Sequence, residues 1–146
     1  MNSILNEVIA LDTNEFIFAL RRDANYPACE TLLFNKLPEL QIYMPLQVLI
    51  ELQRNLSFDE MRGLFLALNK SKAIQWDYKP APQDLIKQWE KRGAKKGDAV
   101  IAAHLEVAQV RFFVSENRHF LVELPNLPFQ VLSSEAVVNL LEQNSE

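Results

Sequence analysis

The chain is poor in the residues that build several common sites: 146 residues hold one cysteine, Cys29, and two histidines, His104 and His119. A lone cysteine closes no intramolecular disulfide, and these three side chains do not make up a Cys/His zinc set. A reducing, cytoplasmic setting is the expectation. With three glycines, Gly63, Gly93 and Gly97, there is neither a phosphate-cradling loop nor a dinucleotide fingerprint, and no G-x-S-x-G elbow occurs. No run approaches the roughly 20 apolar residues that cross a bilayer, so no membrane association is expected. The first ten residues carry Glu7 and no basic residue, which lacks the parts of a secretory signal. Positive charge is also in short supply, because 15 Lys and Arg face 19 Asp and Glu for a net charge of -4. Coating nucleic acid by charge alone is excluded, since that binding is driven by phosphate neutralisation. A nucleic-acid substrate would have to be gripped locally.

What the chain has is apolar residues, 49% of the total, interspersed with 23% charged ones. That composition and length suit one core, and a single domain over residues 1–146 is expected. Residues 7–12, EVIALD, read as a buried strand ending in an acid, and helical spacing follows over 13–22 and over 27–37. Residues 40–44 read as strand, and Pro45 starts a helix that contains Glu51. Ser57 and Glu60 have capping-box spacing ahead of a helix over 61–68. Residues 73–77 return to strand, 82–92 form an amphipathic helix, and KRGAKKG at 91–97 breaks it with four basic residues. Asp98 opens the next helix, RFFVS at 111–115 is strand, and a strand at 129–132 with a helix at 134–141 ends the pattern. Strands alternating with helices predict a three-layer α/β/α fold around a mainly parallel central sheet.

In such a sheet, ligands bind beyond the carboxyl ends of the strands. Asp12 and the segment from Ser115 to Asn117 follow strands, and Glu51 and Asp98 lie near helix starts at that same end. Two carboxylates about 6 Å apart repel by roughly 3 kcal/mol at an effective dielectric near 20, or about two pKa units. Three such groups stay partly protonated or recruit a hard divalent cation, Mg2+ or Mn2+. That cation would supply the hydrolytic chemistry.

Three stretches carry a resemblance: LDTNEFI with Asp12 and Asn14, PLQVLIELQRNL with Glu51, and GDAVIAAHLEVA with Asp98, followed by a strand and the turn from Ser115 to Phe120. Across nearly its whole length the chain resembles the PIN domains, and within them the small VapC-type ribonuclease toxins. The resemblance implies a PIN-like sheet of about five strands and a metal-dependent endoribonuclease that hydrolyses RNA phosphodiester bonds. It further implies an antitoxin partner, as the toxin of a type II toxin–antitoxin pair, and a homodimer. Asp12, Glu51, Asp98 and Asn117 would then be catalytic, and Asp12, Glu51, Asp98 and Glu116 would be the metal ligands. Asn14 and Ser115 would orient the carboxylates; separately, the closeness of the basic run to Asp98 in the sequence makes Lys95 and Lys96 the candidate RNA contacts. One position departs from the pattern, since the fourth acid of the family falls on Asn117. An amide brings no charge, so Glu116 next to it is the alternative. The competing function is a catalytically silent PIN-fold module that binds RNA or protein.

Plainer roles compete at each position. Asp98 after Gly97 suits a helix N-cap, and the basic run suits a solvated loop. His104 reads as a core or boundary residue, His119 as a surface one, and Trp76 and Trp89 as packing residues.

Overall fold

A computed structural model describes residues 3–143 of the chain. Strand β1 (Val8–Leu11) is followed by helix α1 (Thr13–Leu20) and then α2 (Pro27–Thr31). Helix α2 does not run on to residue 37 as one α-helix. It loosens into a π-helical turn at Leu32–Lys36 and tightens into a 3-10 turn at Leu37–Glu39, where Pro38 removes a backbone donor. Strand β2 (Gln41–Pro45) leads into α3 (Leu46–Asn55), with Pro45 in extended conformation as its N-cap. Helix α4 (Phe58–Leu68) starts at the expected capping box: Glu60 N donates to Ser57 Oγ at 3.1 Å and Ser57 N donates to Glu60 Oε1 at 2.9 Å. Strand β3 (Ala73–Asp77), α5 (Gln83–Lys91), α6 (Lys96–Ala108), β4 (Phe112–Val114), β5 (Gln130–Leu132) and α7 (Ser134–Gln143) complete the order.

The five strands form one sheet in the order β3-β2-β1-β4-β5, and every pairing is parallel. Parallel neighbours need right-handed crossovers. The chain winds outward from β1 through β2 to β3, then returns to β4 and winds the other way, which distributes helices over both faces. The strand alternation is therefore overridden by two-sided burial: Ile9, Ala10, Ile42, Phe113 and Val114 are all at most 1% exposed. Trp89 is buried against Phe129 and beneath the Arg92 guanidinium, so its packing role holds, whereas Trp76 is half-buried between Phe65 and Tyr78. Among the described residues no helix is long and apolar enough to cross a membrane.

One expected cap is corrected. The N-cap of α6 is Lys95, not Asp98, and Ala99 N donates to Lys95 O at 2.7 Å. Asp98 stands at the third helical position, in the first turn, where the amide dipoles favour an anion. Its carboxylate is thereby free of the capping role and available to the crevice.

Candidate active site

The strand order reverses between β1 and β4, and the chain leaves both at the same end. Asp12 extends the ladder by one bond, donating its N–H to Val114 O at 2.8 Å, and so stands directly beside Ser115. Its carboxylate is fixed at both oxygens: Oδ1 accepts from Thr13 N at 2.8 Å and Oδ2 from Ser115 Oγ at 2.7 Å. The group is 7% exposed. Burial raises its pKa, Asp98 and Glu51 raise it further, and the two hydrogen bonds only partly oppose them, leaving it at about 6.

Glu51 reaches the same place from α3. Its Oε1 accepts from Thr13 Oγ1 at 2.5 Å and its Oε2 from Gln47 Nε2 at 2.9 Å. Gln47 is one helical turn earlier on the same face, the spacing at which side chains meet. Across from it, a Cβ built on Gly97 would stand 2.9 Å from Glu51 Oε2. Gly97 thus leaves the room that the carboxylate occupies. Asp98 follows on α6 and is half-buried, and its pKa is raised by burial and by Glu51 against the amide of Asn117 and the charges of His119 and Lys95.

The turn after β4 separates its residues by direction. Ser115 faces Asp12, and Asn117 Nδ2 donates to Asp98 Oδ2 at 3.2 Å. Asn117 Oδ1 is taken by His119 N at 3.0 Å, so the backbone fixes which end of the amide points at Asp98. Asn117 therefore presents a donor to the cluster rather than an oxygen. Glu116 turns elsewhere, accepting from Ser134 N at 2.8 Å at the start of α7 and lying against Glu15.

Of the residues singled out in the sequence, Asp12, Glu51, Asp98, Ser115 and Asn117 come together, and Glu116 belongs to a different cluster. Asn14 is exposed, and its neighbour Thr13 is the residue that holds Glu51. Lys95 and Lys96 are exposed at the head of α6, with the Lys95 charge acting on Asp98. His104 is a buried core residue whose pKa is lowered by burial. His119 is half-buried, with Nε2 2.9 Å from Gly93 O and Nδ1 3.1 Å from Glu123 Oε1. Sequence reasoning missed Thr13, Gln47 and Gly97. Each had a local signal: adjacency to Asp12, helical spacing from Glu51, and adjacency to Asp98.

No family model matches the chain, and no curated protein sequence matches it. Solved structures do. VapBC2 from Rickettsia felis, bound to a DNA fragment from their promoter, aligns with a TM-score of 0.57 at 21% identity, covering 86% of this chain and 98% of that one. PAE2754 from Pyrobaculum aerophilum aligns with a TM-score of 0.58 at 14% identity, covering 98% of this chain and 99% of that one. In fold this chain matches both structures, and its own five parallel strands flanked by helices make the PIN-like α/β/α architecture that the residues around Asp12, Glu51 and Asp98 implied.

Proposed function

We propose that the chain is a metal-dependent ribonuclease whose centre is built on Asp12, Glu51 and Asp98. The observation that carries this reading is electrostatic. Three carboxylates, from the end of β1, from α3 and from α6, meet in the crevice where the strand order reverses; burial raises both Asp12 and Asp98, and neighbouring carboxylates add to it, Asp98 and Glu51 at Asp12 and Glu51 at Asp98. The ligating atoms on offer are all oxygen, the donor set of Mg2+ or Mn2+, so the residues fit a hard divalent cation. Such a cation, when bound, activates a water and offsets charge building on the phosphodiester.

The protein's own part is orientation. Ser115 and the Thr13 amide lock Asp12, Thr13 and Gln47 lock Glu51, and Asn117 locks Asp98. Fixed carboxylates need no reorganisation when a charged substrate arrives. Asn117 acts here as a positioning residue for Asp98, which leaves three acids in place of the four of the family pattern. Lys95 and Lys96, at the rim, would meet the phosphates on either side of the cut. A role as the toxin of a toxin–antitoxin pair, with an antitoxin partner, accompanies this reading and draws support from the fold shared with VapBC2; a homodimeric state is part of the same proposal and rests on the sequence resemblance alone.

The test is cleavage of a mixed RNA substrate with Mg2+ or Mn2+. Wild type should cut, and excess EDTA should stop it. Asp12→Asn and Asp98→Asn should each abolish cutting while the folded circular-dichroism spectrum persists. Cleavage that survives EDTA refutes the metal dependence. RNA binding without cleavage under any metal leaves the silent binding module as the function.

A further inference from the structure

A second polar cluster lies outside the three-carboxylate centre. Glu15 on α1, Cys29 on α2 and Glu116 after β4 each offer one ligand atom, and the three atoms lie within 4.8 Å of one another. Cys29 Sγ is 3.4 Å from Glu15 Oε1 and 3.4 Å from Ser134 Oγ, which brings in the first residue of α7. Glu15 is 2% exposed and Cys29 1%. Among the described residues Glu15 Oε2 has no hydrogen-bond partner, although the Glu116 carboxyl lies against the Glu15 carboxyl. Two groups that are acceptors when ionised cannot remain in buried contact without a positive species between them, either a proton or a cation.

The donor set tells the two apart in kind. A thiol, two carboxylates and a hydroxyl make a mixed sulfur and oxygen set of the sort zinc accepts, softer than the all-oxygen centre at Asp12. Zinc bonds of about 2.3 Å to sulfur and about 2.0 Å to oxygen, at a tetrahedral angle, place sulfur and oxygen about 3.5 Å apart. Cys29 Sγ already has two oxygens at 3.4 Å. We propose that Glu15, Cys29 and Glu116, with the Ser134 hydroxyl as a neutral fourth donor, bind one zinc ion at a site separate from the Asp12 centre. Binding displaces the thiol proton of Cys29 and the proton held by Glu15, so two protons leave and the ion ends bound to a thiolate and two carboxylates. The site ties α1, α2, the turn carrying Ser115 and Asn117, and the start of α7 to one point.

Cobalt(II) titrated into the metal-free full-length chain is the test, because only thiolate ligation gives an intense near-ultraviolet charge-transfer band. The band should saturate at one equivalent and be displaced by zinc. It should vanish in Cys29→Ala and persist in Asp98→Asn, which alters only the other centre. Glu15→Gln should weaken zinc binding at least tenfold by calorimetry. A folded wild type with no band overturns the site, and an infrared carbonyl stretch of a protonated acid lost in Glu15→Gln then identifies a shared proton in its place. A band that survives Cys29→Ala overturns it equally. Loss of RNA cleavage with the band intact, or the reverse, separates failure of the nuclease reading from failure of this one.

Discussion

Asp12 ends a buried strand with both carboxylate oxygens already hydrogen-bonded, and its pKa still rises from 3.8 to about 6. Hydrogen bonds from a hydroxyl and an amide oppose the desolvation without cancelling it, and the charges of Asp98 and Glu51 add smaller increments. A raised carboxyl pKa means that the folded state keeps a proton the unfolded chain has released. Stability contributed by this group is therefore lost as pH rises from about 4 through about 6, and is level above that. The shift of about two units corresponds to at most about 3 kcal/mol. Asp12→Asn cannot ionise and escapes the loss. Denaturant unfolding in chelator should show the variant gaining on wild type by about 1–3 kcal/mol between pH 4 and pH 7. Glu15, whose pKa is raised by burial, by Glu116 and, least, by Asp12, tilts both proteins in the same sense, so it adds little to the difference between them. Curves that stay parallel would show that Asp12 is not the group under strain.

Helix α6 carries Asp98 into the crevice only because its second residue has no side chain. Glycine inside a helix costs about 0.5–1 kcal/mol relative to alanine, so Gly97→Ala should hold or raise the melting temperature on propensity alone. The new Cβ would stand 2.9 Å from Glu51 Oε2, and that carboxylate is pinned by Thr13 and Gln47. The variant should remain fully folded and lose RNA cleavage at least tenfold, read by paired melting and cleavage assays. Unchanged cleavage would show that Glu51 needs no fixed position. Elements of this kind were legible in unequal degree. The β3 strand and the Ser57–Glu60 capping box could be read because their signals are local: alternation bounded by turns, and a three-residue spacing. Asp12, Glu51 and Asp98 could be found from their motifs and their places beside strand ends. The start of α6 was misread because Lys95 caps it through backbone conformation alone. The direction of Glu116 was not legible either, since adjacent residues in a turn face different ways and only the packing of α7 decides which. Nor did periodicity mark Glu15, an acid buried on the core face of α1.

Charge at the scale of the whole molecule narrows where RNA could be held. The net charge is -4, and four of the arginines are used internally: Arg21 pairs with Glu60, Arg22 with Glu30 and Arg111 with Glu7, while Arg92 donates to the carbonyls of Pro125 and Asn126. Lys95, Lys96 and Arg118 stand exposed, the two lysines at the head of the helix that bears Asp98 and Arg118 next to Asn117. Lys95, Lys96 and Arg118 are thus the exposed cations nearest in sequence to the carboxylates, and on an acidic molecule they set how an RNA chain is held at the crevice. Binding should then have a shallow salt dependence, because few phosphates are neutralised and the slope follows that number at roughly 0.7 per phosphate for a single strand. Replacing Lys95 and Lys96 with alanine should weaken binding of a non-cleavable RNA and reduce the slope by roughly 0.7 for each phosphate that is no longer neutralised. Asp98→Asn in the same assay removes a negative charge from the crevice and should bind RNA as well as or better than wild type without metal. Fluorescence anisotropy across a salt series reads both variants. A slope that does not move in the lysine variant assigns those residues to solvent and directs the search for the phosphate-binding side chains to Arg118.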